Sequence, residues 1–290
     1  MTAPSESSLE RGNGGSTPDV SAIVIGHSVR HELGPCLDSL REHADGVAVE
    51  VFVVDNASDD GTAEWVRREH PEVELIALEE NVFGIARNRA LPRVRGRHTL
   101  FLDSDAVLTP GALPTMVEAL DGNETWGLVG PRLTYPDGGL QLSCRRFPPR
   151  AIPIMRRPPL SAFLEQSEPV RRHQMEDIDH DRGRPVLYVL GACQLFQTSI
   201  AARIGDLDAR LGWGGEDIDW CVRVWDTGAE VRYLPEATVI HSYRRQSKQA
   251  PFSAKALRHL RSFTALQWKY RRRYRELMRF GDELDARAPA

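Results

Sequence analysis

The feature that most limits the fold of this chain is a series of short apolar runs separated by helical patterns. Val20–Ile25, Val49–Val54, Val73–Leu78 and His98–Leu102 have the length and composition of β-strands. Leucines at three- and four-residue spacing, and a capping turn before Thr62, predict helices between these runs. This alternation predicts an α/β domain whose mostly parallel sheet is covered by helices on both faces. Ligands of such sheets bind beyond the carboxyl ends of the strands, so the residues that follow each strand are the candidate site.

Patterns in the rest of the chain predict further elements. They are a helix over Phe83–Leu91, strands over Val186–Leu190 and Gln194–Gln197, a helix starting at Glu216, a strand pair over Val231–Leu234 and Ala237–His241, and one basic helix from Ser253 to Phe280.

Composition divides the chain into three parts with a long internal loop. Residues 1–18 are polar and predict a disordered tail, and residues 19–250 form the folded domain. Residues 148–185, rich in proline and charge, predict a surface loop that is partly mobile, either a lid or disordered. Residues 251–290 form a basic helical extension, with two interpretations: contact with a membrane surface, or packing on the domain or on a second copy in a homodimer.

Charge and hydropathy exclude several classes of protein. The net charge of −4 argues against nucleic acid as a partner. No apolar run reaches the roughly 18 residues of a membrane span, and no export signal is evident. Four cysteines lie far apart without metal-ligand spacing, which predicts reduced thiols in a cytoplasmic protein, with peripheral contact at the inner membrane face as a variant.

Carboxylates follow two of the predicted strands. Asp55 ends the second strand, where it either binds a base or ribose or simply caps the turn. Asp103, Ser104 and Asp105 follow the fourth strand, and two carboxylates this close favour a bound divalent cation such as Mg²⁺ or Mn²⁺. The alternative is a solvated acidic turn. A cation there would counter the charge of a diphosphate leaving group.

Two further candidates lie in the second half of the chain. Glu216 and Asp217 follow a glycine-bearing loop at a helix start, where acidic residues are common anyway but where one carboxylate could act as a general base. His241 ends a predicted strand, and it is either a core histidine or an imidazole metal ligand.

Six blocks in order resemble the family 2 inverting glycosyltransferases, and most closely their rhamnosyltransferase-like members. The resemblance covers residues 19–248. Its blocks are VSAIVIGHS, VVDNASDDGT, ENVFGIARNRAL, FLDSDAVLTPGAL, VGPRLTYPDGGLQLSCRRFP, and the segment from YVLGACQLF through GWGGEDIDW to ATVIHS. The resemblance implies the GT-A fold, a Rossmann-like mostly parallel sheet with helices on both faces and a small antiparallel portion on the acceptor side.

The resemblance also implies a role for each matching residue. It implies nucleotide-sugar binding by His27, Asp55, Asn81, Arg87, Asn88, Asp103 and Ser104, metal binding by Asp103, Asp105 and His241, acceptor binding by Gly191, Ala192 and Trp213, and catalysis by the Glu216-Asp217 pair, with Asp217 as the base. Relatives often carry Thr-Tyr-Asn where this chain has Gly26-His27-Ser28, so His27 is expected to alter selectivity for the base.

The activity implied is transfer of one sugar from a dTDP-, UDP- or GDP-linked donor to an acceptor hydroxyl. The acceptor is a glycan, a glycolipid or a small molecule, and the anomeric configuration inverts in one metal-assisted displacement. The Gln-x-x-Arg-Trp signature of processive synthases is absent from the sequence, which favours single transfer. Two rival functions are a nucleotidyltransferase and a non-catalytic nucleotide-sugar-binding module.

Overall fold

A computed structural model describes residues 17–155, 161–164, 166–242 and 254–287 of the 290-residue chain. The described strands are β1 (Val20–Gly26), β2 (Val49–Asp55), β3 (Glu74–Ala77), β4 (His98–Asp103), β5 (Ala106–Leu108), β6 (Trp126–Thr134), β7 (Leu140–Gln141), β8 (Cys144–Arg145), β9 (Arg184–Pro185), β10 (Tyr188–Val189), β11 (Cys193–Gln197) and β12 (Glu230–His241). The described helices are α1 (Arg30–Glu42), α2 (Thr62–Glu69), α3 (Ala112–Asp121), α4 (Ile152–Met155), α5 (Ser161–Leu164), α6 (Glu168–His173), α7 (Thr198–Ile204), α8 (Glu216–Asp226), α9 (Ala254–Lys269) and α10 (Tyr274–Ala286).

One mixed sheet organises the described part of the chain. Its strand order is β3-β2-β1-β4-β11-β6-β12-β5, with β7 beside β6 and β9 beside β12. Strands β1 to β4, β6 and β12 run in the same direction, whereas β11 is antiparallel to both of its neighbours. A second, two-stranded antiparallel sheet joins β8 to β10. The predicted mostly parallel sheet with a small antiparallel portion is therefore confirmed.

Side chains alternate between the two faces of the sheet, as the two-residue period of a strand requires. In β4, Leu100 and Leu102 enter the core shared with α1 and α3, whereas Phe101 enters the core shared with α8, α9 and α10. Helices thus cover both faces, as predicted. The edge-to-face contacts of Phe101 and Trp220 with Phe196 lie in the second core. All four cysteines are buried and unpaired.

Four predicted elements were wrong in detail. Phe83–Leu91 is not an α-helix but forms a 3₁₀ segment over Phe83–Arg89, because Phe83 has a φ of 56° that no α-helix accommodates. The run from Val186 to Leu190 is not one strand, since the chain leaves β12 after Pro185 and joins β8 at Tyr188.

The strand pair near the end of the domain was also wrong, because residues 230–241 form the single strand β12 with a register shift between Leu234 and Thr238. Pro235, which has no amide hydrogen, lies within that shift.

The predicted C-terminal helix is two helices, α9 and α10, separated by a turn at residues 270–273. The turn lets both halves face the domain, because Leu266 before it, Tyr270 at its start, and Leu277 and Leu284 after it are buried in one core. The extension therefore packs on the domain. Within the described residues, no helix is long and apolar enough to cross a membrane.

The predicted surface loop over residues 148–185 contains α4, α5 and α6. Part of it lies in the interior, because Val170 and Met175 are almost completely buried. Its predicted mobility stays a prediction, and residues 156–160 and 165 lie outside the described residues. So does nearly all of the predicted disordered tail, since the description begins at residue 17.

Candidate active site

A cleft of about 1090 Å³ opens beyond the carboxyl ends of β1 and β4 and continues between α8, α9 and the segment that follows β8. Most of the residues predicted to form the site line this cleft. They are His27, Asn81, Arg87, Asp103, Ser104, Asp105, Gly191, Ala192, Trp213, Glu216, Asp217 and His241. As expected for residues at the carboxyl ends of strands, they line one continuous cavity, although they come from both halves of the chain.

Asp103, Asp105 and His241 converge at the edge of the sheet. Strand β4 delivers Asp103, and β12 returns antiparallel to β5 so that His241 lies opposite Ala106, next to Asp105. One ligand atom from each residue lies within 4.8 Å of the other two. Two carboxylates and one imidazole are a donor set that Mg²⁺ or Mn²⁺ accepts, so the three residues could hold a divalent cation.

The imidazole of His241 is oriented by a residue that the sequence patterns did not reveal. Gln141 on β7 places its side-chain oxygen 2.6 Å from His241 Nδ1, which therefore carries the hydrogen. His241 Nε2 then faces Asp105 Oδ1 at 3.3 Å. Burial alone would lower the pKa of His241, but the Asp105 and Asp103 carboxylates raise it above its ordinary value. Gln141 thus orients the imidazole of a candidate metal ligand.

Arg87 connects the two sides of the cleft. Its Nη2 donates to Asp103 Oδ1 at 2.5 Å and to the carbonyl oxygen of Gly191 at 3.0 Å. Its guanidinium also lies 5.1 Å from the ring centre of Phe101, and its side chain is nearly fully buried. Burial raises the pKa of Asp103, while the Arg87 charge opposes that rise. Arg87 therefore links the acidic edge of the sheet to the segment between β10 and β11.

The end of the cleft near β1 is lined by His27 and by two asparagines. His27 Nδ1 lies 3.0 Å from the carbonyl oxygen of Asn56, and the Asn56 side chain bonds Val82 N and the Phe83 carbonyl. Asn81 accepts a hydrogen bond from Phe83 N at 3.0 Å. Asn56 was not predicted to be a site residue, although it directly follows Asp55 in the block that carries the resemblance. The asparagines shape the loop that turns Arg87 inward.

Asp55 and Asn88 are not among the cleft-lining residues that the structure describes. Asp55 is 3% exposed, and its Oδ1 accepts hydrogen bonds from the backbone and hydroxyl of Ser58. The side-chain amide of Asn88 bonds Leu207 in both directions, at 2.9 Å each. Asn88 therefore ties the 3₁₀ segment to a neighbouring loop, and its predicted role in nucleotide-sugar binding stays a prediction.

Glu216 and Asp217 lie side by side at the first turn of α8. Asp217 Oδ1 accepts the Ile218 amide at 2.8 Å, whereas Glu216 Oε2 is buried without a hydrogen-bond partner among the described residues. Burial and the neighbouring Asp217 raise the pKa of Glu216 to about 8. Burial raises the pKa of Asp217 as well, and backbone amides of Ile218 and Gly191 oppose that rise. The carboxyl groups thus differ in how they are hydrogen-bonded.

Aromatic rings form one wall of the cleft. The rings of Phe83 and Trp213 have their centres 3.5 Å apart at an angle of 30°. The guanidinium of Arg258 on α9 lies 4.8 Å from the Trp213 ring centre. The stack brings together the 3₁₀ segment, the predicted acceptor loop and the C-terminal extension. Phe83 and Arg258 were not predicted, because no local pattern indicates that these three distant segments meet.

Helix α9 also supports the segment that carries the acidic pair. The Ser262 hydroxyl lies 3.3 Å from the Trp213 amide, and the Leu266 side chain packs against Gly215. Asp219, fully buried one turn into α8, accepts a 2.7 Å hydrogen bond from Tyr270 and pairs with Lys269 at 2.5 Å. The C-terminal extension is therefore part of the framework of the site.

In sequence, this chain is similar to known glycosyltransferases. The family described as Glycosyl transferase family 2 matches residues 21–204. N-acetylglucosaminyl-diphospho-decaprenol L-rhamnosyltransferase of Mycobacterium tuberculosis is 25% identical over 230 residues, which are 75% of this chain and 74% of that protein. Succinoglycan biosynthesis protein ExoO of Rhizobium meliloti is 38% identical over 106 residues, which are 36% of this chain and 30% of that protein.

Two solved glycosyltransferase structures share the fold at low sequence identity. GalNAc-T7, solved with UDP, GalNAc and Mn²⁺, superposes with a TM-score of 0.64 at 16% identity, over 89% of this chain and 50% of that chain. The mannosyltransferase PcManGT from Pyrobaculum calidifontis, solved with GDP-Man and Mn²⁺, gives 0.55 at 20% identity, over 88% and 65%. This chain thus spans about half to two thirds of those two chains. It belongs to glycosyl transferase family 2 and is a glycosyltransferase with the GT-A fold.

Proposed function

We propose that this glycosyltransferase moves one sugar from a nucleoside-diphosphate donor to an acceptor hydroxyl with inversion at the anomeric carbon. The observation that carries the proposal is the convergence of Asp103, Asp105 and His241 in the same cleft as Asp217. These residues would supply what a direct displacement needs: Asp103, Asp105 and His241 a place for the diphosphate, and Asp217 a base for the acceptor.

In this reaction Asp217 removes the proton of the acceptor hydroxyl while its oxygen forms the new bond to the anomeric carbon. The bond from that carbon to the diphosphate breaks, and its electron pair leaves with the nucleoside diphosphate. Asp103, Asp105 and His241 would hold a divalent cation, which when bound supplies positive charge beside the leaving group. A single base suffices, because a diphosphate leaves without needing a proton from the protein.

The comparisons support a choice of substrates to test first. The relative from Mycobacterium tuberculosis is named as an L-rhamnosyltransferase acting on a diphospholipid-linked sugar, and it aligns over three quarters of both chains. A dTDP-, UDP- or GDP-linked deoxyhexose is therefore our first donor, and a lipid-linked sugar our first acceptor. Both solved neighbours contain Mn²⁺ and a nucleotide, which supports Mn²⁺ as the cation to use.

The outer face of α9 supports an acceptor at a membrane surface. Residues 242–275 contain eleven lysines and arginines and no acidic residue, in a chain whose net charge is −4. Leu257 and Trp268 are 60% and 59% exposed, and the Arg271 guanidinium lies 4.0 Å from the Trp268 ring centre. Arginine and tryptophan together favour an anionic lipid interface. Homodimerisation and a cytoplasmic location stay predictions.

The reaction is tested by following nucleoside diphosphate release from a panel of UDP-, dTDP- and GDP-sugars, with Mn²⁺ and with EDTA. We expect release from one nucleotide class only in Mn²⁺, and a loss of more than about 100-fold in Asp105→Asn. Asp206→Asn, at an exposed aspartate outside the cleft lining, is the matched control and should keep wild-type activity.

Three results would point elsewhere. Donor-induced thermal stabilisation without any release, with every acceptor tried, would indicate a binding module. Synthesis of a nucleotide-sugar from a nucleoside triphosphate would indicate a nucleotidyltransferase. Full activity of Asp105→Asn in EDTA would exclude the metal-assisted reaction.

For the membrane contact, Arg261→Glu with Arg271→Glu should abolish sedimentation with anionic vesicles, whereas Arg67→Glu with Arg68→Glu on α2 should not.

A further inference from the structure

The acidic pair at the start of α8 contains two carboxyl groups, whereas the displacement needs only one base. Asp217 has backbone amides from Ile218 and Gly191 directed at its carboxylate. Such hydrogen bonds favour the ionised form. Asp217 is therefore the member of the pair that is prepared to carry a negative charge and to accept a proton.

Glu216 has the opposite environment. Its Oε2 is buried and has no hydrogen-bond partner among the described residues, although its residue lines the cleft. An ionised oxygen left this way would lose its hydration without gaining a hydrogen bond, which disfavours the charged form. The charged groups that influence it are Asp217 beside it, Arg87 from the 3₁₀ segment and Asp103 from β4. Asp217 and Asp103 disfavour a third negative charge, whereas a hydrogen bond from the backbone of Glu216 itself and the charge of Arg87 oppose them.

The position of Glu216 points to the donor rather than the acceptor. Its carboxyl packs against Gly84 so closely that a methyl group there would come within 2.4 Å of Glu216 Oε1. Gly84 belongs to the block that holds Arg87, and Arg87 bonds Asp103. The Glu216 carboxyl therefore lies against the segment whose Arg87 contacts Asp103, where we propose that the diphosphate binds.

We propose that Glu216 is a specificity-determining residue that stays protonated and donates a hydrogen bond to a hydroxyl of the donor sugar, leaving Asp217 as the sole base. This inference rests on the proposed transfer reaction and assigns the two carboxyl groups different roles. A neutral carboxyl can donate one hydrogen bond and still accept others, so it can distinguish a sugar that bears the matching hydroxyl from one that lacks it.

The amide and alanine variants of Glu216 separate this role from that of a base. Glu216→Gln keeps the shape and still offers a hydrogen to a sugar hydroxyl, so we expect kcat/KM within about fivefold of wild type. Glu216→Ala offers none, and we expect a loss of about 10- to 100-fold in kcat/KM. Glu118→Gln and Glu118→Ala, at an exposed position on α3, are the matched controls.

Two more measurements distinguish a lost hydrogen bond from a damaged fold. Gly84→Ala should reproduce the Glu216→Ala loss with an intact carboxyl, because the added methyl displaces it. With a donor analogue that lacks the matching hydroxyl, wild type and Glu216→Ala should react at similar rates. The wild-type rate should fall on the alkaline side as Glu216 ionises near pH 8, and Glu216→Gln should lose that fall.

The inference is overturned if Glu216→Gln is as inactive as Glu216→Ala, because an ionised carboxylate would then be required. It is also overturned if no single-deoxy donor reduces the difference between wild type and Glu216→Ala. Both outcomes need a wild-type enzyme that releases nucleoside diphosphate, so they are distinct from failure of the proposed function, in which the wild type releases none.

Discussion

The end of the cleft that we propose to hold the cation, the metal-ligand end, and the end with Glu216 and Asp217, the acidic-pair end, are built in different ways. At the first, Asp103 and His241 complete strands of one sheet, and Asp105 lies in the turn that follows Asp103. At the second, Asp217 lies on a helix whose start is supported by Ser262, Leu266 and Tyr270 of the C-terminal extension. Strand pairing fixes the first end and side-chain packing fixes the second. Substitutions in the C-terminal extension should therefore affect the acidic-pair end only.

The largest expected effect separates the two ends by removing the base. Asp217→Asn should lower kcat by about 10²- to 10⁴-fold, because the amide cannot accept the acceptor proton. Affinity for the nucleoside diphosphate in Mn²⁺ should stay within twofold, since the metal-ligand end is unchanged. Steady-state kinetics and calorimetric titration of the diphosphate check the two halves of this prediction. Equal losses in both would mean that the ends are not independent.

Gln141→Leu tests the metal-ligand end alone. Without its partner at Nδ1, His241 is free to change tautomer and rotate, and we expect the Mn²⁺ concentration for half-maximal activity to rise about 10- to 100-fold. The rate at saturating Mn²⁺ should recover most of the wild-type value. Gln141→Asn, which keeps an amide on a shorter side chain, shows how far the geometry matters. An unchanged Mn²⁺ requirement in Gln141→Leu would remove His241 from the ligand set.

Lys269→Met tests the support of the acidic-pair end. It removes a partner of the buried Asp219 while Tyr270 and Arg223 remain, so the free energy of unfolding should fall by roughly 2 kcal/mol. We expect kcat to fall severalfold and the Mn²⁺ requirement to stay the same. Urea unfolding and kinetics measure the two effects, and Lys269→Arg should restore both. A shifted Mn²⁺ requirement would contradict the separation of the two ends.

The smallest expected effect is the position of the acid limb of the pH–rate profile. Asp217 acts in its ionised form, and burial raises its pKa, so activity should be lost with falling pH at a higher pH than an ordinary aspartate would allow. Because Glu216 and Asp217 interact, the limb reports the pair rather than one residue. Glu216→Gln removes one ionisable member of the pair and should move this limb. An acid limb near pH 4 would contradict a buried base.

Sequence patterns predicted that Asp103, Asp105 and His241 meet, because the end of a strand can be recognised locally and strand ends share one edge of a sheet. They could not predict Gln141, whose partner His241 lies 100 residues away on another strand. The extension was predicted to be helical, but its turn depends on which side chains the domain buries. Asn88 fitted the family pattern, yet its amide faces Leu207, because a matching residue type does not determine where the side chain points.

Arg87 has a consequence for how a cation and a nucleotide affect each other's binding. Its guanidinium already neutralises Asp103, so the bare protein has a counter-ion of its own at this edge. A cation bound at Asp103, as we propose, must share that carboxylate with the guanidinium, which lowers the gain from cation binding alone. A diphosphate offers further oxygen ligands and an anion for the arginine at the same moment. Cation and nucleotide should therefore bind cooperatively, each raising the affinity for the other by the same factor.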